Sequence, residues 1–312
     1  MNRVSWLSSL RGLMVLLVFF SHLYELSINL DLMFVLGRIG VAGFFMMSGY
    51  LAVTSLERRS VKQYAFNRFL RLYPIYWLLL TMFVLISQKN YTFVEWLANM
   101  TLFQEFAGFE SILGASWMLP IMVVFFAALM VCKKNTDQRI GLFFWILCAG
   151  ALLMGVLRMA TGKSFPTAFC LLQLVGLLGW TYRKNGMMSR EMHVRMMVFE
   201  LVIVAAAYMS YGDKAVFYFM AYNIGIAMFW LFSQFDLHCG ALDRLGTIGF
   251  TFFLGAGIPM AILGRFMDVS SINVFVEVLI KFVLALAMSW IVSKYVETPM
   301  LKWGKTKENT IS

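Results

Sequence analysis

The chain has 312 residues and a net charge of +10, with 61% hydrophobic and only 13% charged residues. A soluble globular domain carries about 25% charged residues, so a mean hydropathy of +0.77 over 35.7 kDa excludes that class and predicts an all-α polytopic membrane protein. The positive charge is not a nucleic-acid footprint, because no block of five consecutive basic residues occurs and the cations flank apolar stretches, as a topology signal does.

Ten apolar stretches predict transmembrane helices at 8–26, 32–54, 72–88, 115–132, 140–157, 165–181, 196–211, 215–232, 245–263 and 274–295. At about 20 residues per span, roughly ten remain for each connection and tail, so residues 1–312 are read as a single integral membrane domain. With the N-terminus inside, nineteen of the 26 Lys and Arg residues fall on inner segments, from Arg3 and Arg11 to Lys302, Lys305 and Lys307. Lys89, Arg158, Lys163, Lys214 and Arg265 fall outside, and Arg38 and Lys281 lie within spans. This asymmetry predicts that both termini are cytoplasmic.

The first stretch ends in Ser21-His22-Leu23-Tyr24 and lacks the small-x-small site of a cleaved signal peptide. His22 falls inside this span toward its outer end. An ionisable ring at that depth is a functional candidate, or else a helix-to-helix hydrogen bond. Eleven residues of helix turn through about 1100°, which returns Arg11 and His22 to one face about 16.5 Å apart. A cation at the cytoplasmic mouth and a base deep in the outer half suit an anionic donor entering from inside. Arg11 alone also fits a snorkelling anchor. Glu25, at i+3, is placed to orient the His22 ring.

The second stretch carries Arg38 to the depth of His22, within Gly-Arg-Ile-Gly-Val-Ala-Gly. Small residues at 37, 40, 42, 43, 48 and 49 predict close approach of another helix. The segment from Glu57 to Arg71 is read as the most basic inner loop, with Arg68 and Arg71 neighbours on a helical face and Pro74 in the first turn of the third helix. Paired guanidiniums suit phosphate, although positive-inside bias accounts for them too. His193 and His238 fall in inner loops. Cys132, Cys148, Cys170 and Cys239 map to spans or the inner face, so no extracytoplasmic disulfide is expected. No metal-ligand spacing is present.

Together these motifs resemble the membrane-bound acyltransferase-3 family. The resemblance rests on Arg11 and His22 with ten residues between them, and on Gly37-Arg38-Ile39-Gly40 followed by Phe44-Phe45 and Ser48-Gly49-Tyr50. It rests also on Arg68-Phe69-Leu70-Arg71 before Pro74 and Tyr76, and on a closing Glu297-Thr298-Pro299. Two segments depart from the family pattern. Where many members have a Trp-x-Leu-x-x-Glu segment, the acid is here Met122, and near a family histidine stands Ala256. Either those side chains are dispensable, or another group substitutes, or the acceptor differs.

The resemblance implies an O-acyltransferase of the bacterial inner membrane. The implied donor is cytoplasmic acyl-CoA, acetyl-CoA in particular, with no permanently bound cofactor or metal. The implied acceptor is a hydroxyl of a surface polysaccharide or lipid-linked sugar, with the lipid bilayer as surroundings and no nucleic-acid partner. His22 is then the general base or the acylated nucleophile, with Arg11 and Arg38 as its catalytic partners. Arg68 and Arg71, helped by Arg11, hold the coenzyme's phosphates. The competing readings are a transporter with His22, Arg38 and Lys281 along its path, and a non-catalytic partner in glycan export.

Overall fold

The computed structural model describes residues 5–23, 30–87, 89–133, 135–266 and 273–308; Arg3, Glu25 and Lys134 lie outside them. The described residues are all-helical. In chain order the helices are α1 (Ser5–Ser21), α2 (Leu30–Glu57), α3 (Val61–Ile86), α4 (Phe93–Met100), α5 (Met118–Cys132), α6 (Thr136–Thr161) and α7 (Thr167–Asn185). They continue with α8 (Arg190–Tyr211), α9 (Ala215–Gln234), α10 (Gly240–Thr247), α11 (Gly249–Gly255), α12 (Gly257–Phe266), α13 (Val274–Val292) and α14 (Thr298–Glu308).

Each of the ten predicted apolar stretches overlaps a helix among the described residues, but only six helical segments there are long and apolar enough to cross a membrane, or seven if one bent pair is a single span. The first stretch forms only the 17-residue α1. The stretch predicted as one span at 245–263 is broken, with a 67° bend between Gly240–Thr247 and Gly249–Leu263.

Two further expectations change. The basic segment before Arg71 is not a loop, because α3 already begins at Val61. Ser60 and Gln63 form a reciprocal capping box there, which satisfies two backbone donors and starts the helix before the arginines. Pro74 consequently lies inside α3, where its missing N–H costs a backbone bond that tertiary packing must offset. His193 lies in the first turns of α8, on its exposed side, and not in a loop.

The bundle is organised around α7, which is buried continuously from Cys170 to Thr181. It packs against α2, α6 and α8, while α2 also packs on α1 and α9. The small residues predicted for close approach serve that purpose. A Cβ at Gly49 would lie 1.7 Å from the Gly176 carbonyl oxygen, so α2 and α7 cross backbone to backbone. A second such crossing joins α1 to α10, where a Cβ at Gly246 would meet the Ser8 carbonyl oxygen at 1.9 Å. Ser9 closes the same seam by hydrogen bonds to the Cys239 backbone and to Asp243. The outward surface carries large exposed apolar residues, including Leu85, Leu201 and Phe275. An all-round apolar helix of this kind is expected against lipid.

Lys281 was placed on sequence grounds in a span, and it is buried there in α13. One turn earlier Glu277, also buried, lies 2.5 Å from its ammonium group. Removing either partner of such a pair costs about 3–5 kcal/mol, because the other charge is left uncompensated.

Candidate active site

Three guanidinium groups converge on one cavity of about 110 Å³. Arg11 reaches it from α1, and Arg68 and Arg71 from α3. The start of α11 flanks the first of these, since Gly249 leaves only van der Waals room beside the Arg11 side chain. Aromatic faces hold the second: the Arg68 guanidinium carbon sits 4.2 Å from the centre of the Phe126 ring and 4.9 Å from that of Tyr64. Arg71 presents an exposed side chain to the cavity. One carboxylate, Glu297, lines the same space. It terminates a single π-helical turn, Ser293–Glu297, between α13 and α14. Its Oε2 accepts hydrogen bonds from Thr251 at 2.7 Å and Ser293 at 2.9 Å. Three guanidiniums against one carboxylate leave a net positive site suited to a phosphate-bearing ligand. Met122, which stands where the family pattern has an acid, lines this cavity too.

His22 stands at the far end of α1. It is the first residue beyond the helix, not inside it, and the reason lies in the backbone. The N–H groups of His22 and Leu23 turn back to the Phe19 and Phe20 carbonyls, tightening the last turn to i→i−3 bonds. That leaves the Val18 carbonyl without its helical partner. His22 Nδ1 lies 2.8 Å from this oxygen, and the Ser21 hydroxyl donates to it at 2.7 Å. A carbonyl oxygen only accepts, so this contact needs a proton on Nδ1, and a ring protonated on Nδ1 alone keeps its lone pair on Nε2. The Ser21 hydroxyl also lies 3.2 Å from Nδ1.

Two cavities meet at His22. One, of about 320 Å³, also has Arg38, Phe34, Met33, Ala115 and Trp117 in its wall. The Arg38 guanidinium is held in an aromatic clamp, 3.4 Å from the Phe34 ring centre and 4.3 Å from that of Tyr218. Its Nη2 donates to the Tyr218 hydroxyl at 3.0 Å. Tyr211 stacks on Tyr218 with ring centres 3.7 Å apart. The other cavity, of about 180 Å³, is walled by residues of α1, α3, α11 and α12 and by residues 113–115 before α5, and among the described side chains in its wall only His22 is polar.

Arg11 and His22, linked in the sequence reading by one helical stripe, line different cavities. What joins the three spaces is Phe253 on α11, which lines all of them. Its ring packs edge-on against Phe44, with centres 5.8 Å apart. Lys281 lines neither of the two cavities that meet at His22.

A family model described as an acyltransferase domain matches residues 4–294. The chain belongs to the acyltransferase-3 family. No curated protein and no solved structure matches it. Membership makes this chain a membrane acyltransferase, and the apolar helices make it multi-pass.

Several residues of this acyltransferase site were not singled out from sequence. Ala115 and Trp117 stand at the start of the predicted span 115–132, where the chain instead forms a 3₁₀ turn, Gly114–Trp117, ahead of α5; neither was marked as lining a site. The preceding helix α4 is pinned to α3: Tyr76 donates to the Asn99 carbonyl at 2.9 Å, and Trp77 to that of Met100 at 2.8 Å. Asn99, fully buried, takes the Ile112 N–H at 2.9 Å and donates to the Glu95 and Glu110 carbonyls. Phe253 and Tyr218 carried no signal beyond being aromatic in an aromatic-rich chain. Glu297 was seen only as part of a closing motif, with no indication that it faces the arginines.

Proposed function

We propose that this acyltransferase moves an acyl group, acetyl being the smallest, from cytoplasmic acyl-CoA to a hydroxyl of a surface polysaccharide or lipid-linked sugar. The observation that carries the reading is the meeting of a triple-arginine cavity and the histidine-lined cavities at one aromatic residue, Phe253. In this reading Arg11, Arg68 and Arg71 hold the coenzyme's phosphates at the inner face, through charge-assisted bonds of fork geometry. The thioester arm passes Phe253 to reach His22.

The acceptor occupies the larger cavity beside Arg38 and Trp117. His22 Nε2 takes the proton of the attacking hydroxyl, whose oxygen bonds to the thioester carbonyl carbon. The C–S bond then breaks, and the departing thiolate recovers the proton from His22. Arg38, fixed by Phe34 and Tyr218, is placed to stabilise the oxyanion or to position the acceptor. The same reading has ten membrane crossings and both termini in the cytoplasm of a bacterial inner-membrane protein. It is supported by the placement of nineteen basic residues on inner segments and puts the arginine cavity on the donor side.

The decisive test compares O-acylation of cell-surface glycans with the gene present, deleted and restored. Ester-linked acyl groups should disappear on deletion and return on restoration. An unchanged ester content would sink the reading.

A further inference from the structure

The apolar cavity beside His22 has no part in the scheme above. Its wall is formed by Val15 and Phe19 of α1, Phe83 of α3, Phe252 of α11, and Ala256 with Met260 at the bend into α12. Among the described residues, His22 is the only ionisable side chain that lines it. A sugar placed there would leave its hydroxyls unpaired, at a cost of about 1–3 kcal/mol for each. A carboxylate would fare worse. The wall therefore selects an uncharged hydrocarbon group.

Size and position narrow the choice. A dry cavity of about 150 Å³ lined by aliphatic and aromatic side chains accepts benzene. The space here is about 180 Å³, so a two-carbon acetyl group fills only part of it. The cavity shares His22 with the Arg38 cavity and Phe253 with the arginine cavity. A carbonyl carbon at His22 would have its hydrocarbon tail on the apolar side and the attacking hydroxyl on the opposite side.

We infer that this cavity holds the acyl chain of the donor and is built for an uncharged chain of about four to six carbons. Acetyl is then a small, incompletely seated member of its range. This inference rests on the acyl-CoA reading above. Ala256 is one of the small residues in the wall, with Gly114, Ala115 and Gly257, and Met260 lines the same space.

The full-length protein in lipid vesicles tests it by displacement of radiolabelled acetyl-CoA, with protein-free vesicles correcting for partition into lipid. Butyryl-, hexanoyl-, decanoyl- and succinyl-CoA serve as competitors. Affinity should rise about fourfold per added methylene as far as about six carbons, and then stop rising. Succinyl-CoA should compete worse than butyryl-CoA. Ala256→Leu and Met260→Phe should each cut the preference for hexanoyl over acetyl by about tenfold; two separate positions guard against one variant failing to fold. Equal affinity for acetyl and hexanoyl, or an unaltered preference in the folded variant or variants, would overturn the inference and leave the donor reading standing. If no coenzyme A thioester displaces the label and unlabelled acetyl-CoA also fails, the donor reading falls and takes this inference with it.

Discussion

The two ends of this molecule handle charge in opposite ways. At one end three guanidiniums face a single carboxylate, so the cavity keeps a surplus of positive charge. At the other, the one arginine near His22 is clamped between Phe34 and Tyr218 and has a phenol as hydrogen-bond partner. The first arrangement suits an anion arriving from outside the protein. The second stabilises a cation in place and leaves it oriented toward whatever enters the cavity. The difference teaches that guanidinium groups in one chain serve as a ligand-binding surface or as a fixed part of the wall, according to what surrounds them.

If that contrast is right, changes at the two ends should be separable. The largest effect belongs to His22. His22→Ala and His22→Gln should lower acyl transfer by about 10²–10⁴ while protein accumulates in the membrane near its normal level. The variants are compared at equal protein content, with donor affinity measured alongside. A fall of less than threefold would assign the ring to packing alone, since a hydrogen bond between membrane helices averages only about 0.6 kcal/mol.

The inner end should respond in binding instead. Arg68→Ala and Arg71→Ala each remove charge-assisted bonds worth about 1.5–3 kcal/mol, so donor affinity should drop by about ten- to a hundredfold. Lysine should restore only part of it, because a point charge lacks the two-pronged geometry. Wild-type donor affinity in both alanine variants would reduce the cluster to a topology signal and erase the contrast.

The smallest effect sharpens the outer end. Asn99→Ala deletes three hydrogen bonds made by a fully buried side chain. It leaves the Ile112 N–H and the Glu110 carbonyl short of partners, at about 1–3 kcal/mol. Residues 101–117 should become more sensitive to protease, and transfer should fall by up to about tenfold as Ala115 and Trp117 lose their support. Donor affinity should stay put, because the arginines lie at the other end. Equal losses of donor binding and transfer would show that the two ends are not independent.

The sequence by itself determined much of this. Helical class and membrane environment follow from apolar excess, since no other arrangement satisfies so many backbone groups in lipid. The spacing of Arg11 and His22 on α1 placed them at opposite ends because helical rise is fixed. The Arg68 and Arg71 pair was legible for the same reason. Glycines 37, 40, 43 and 49 announced close helix crossings, since only a missing Cβ permits them.

What tertiary structure alone decided were the partners brought from distant parts of the chain. The bend at Ile248 puts Phe253 at the junction of three cavities, and no local pattern marks one phenylalanine among 30. The capping box at Ser60 moved the start of α3 before the arginines, because two satisfied backbone donors outweigh a change in local polarity. Glu297 met the arginines through a π-helical turn more than two hundred residues away in sequence. The contact of His22 Nδ1 with the Val18 carbonyl arose from the tightened last turn of α1, which frees that oxygen from the His22 N–H. Periodicity records which face of a helix is apolar; which neighbour covers that face depends on long-range packing, and this site was assembled there.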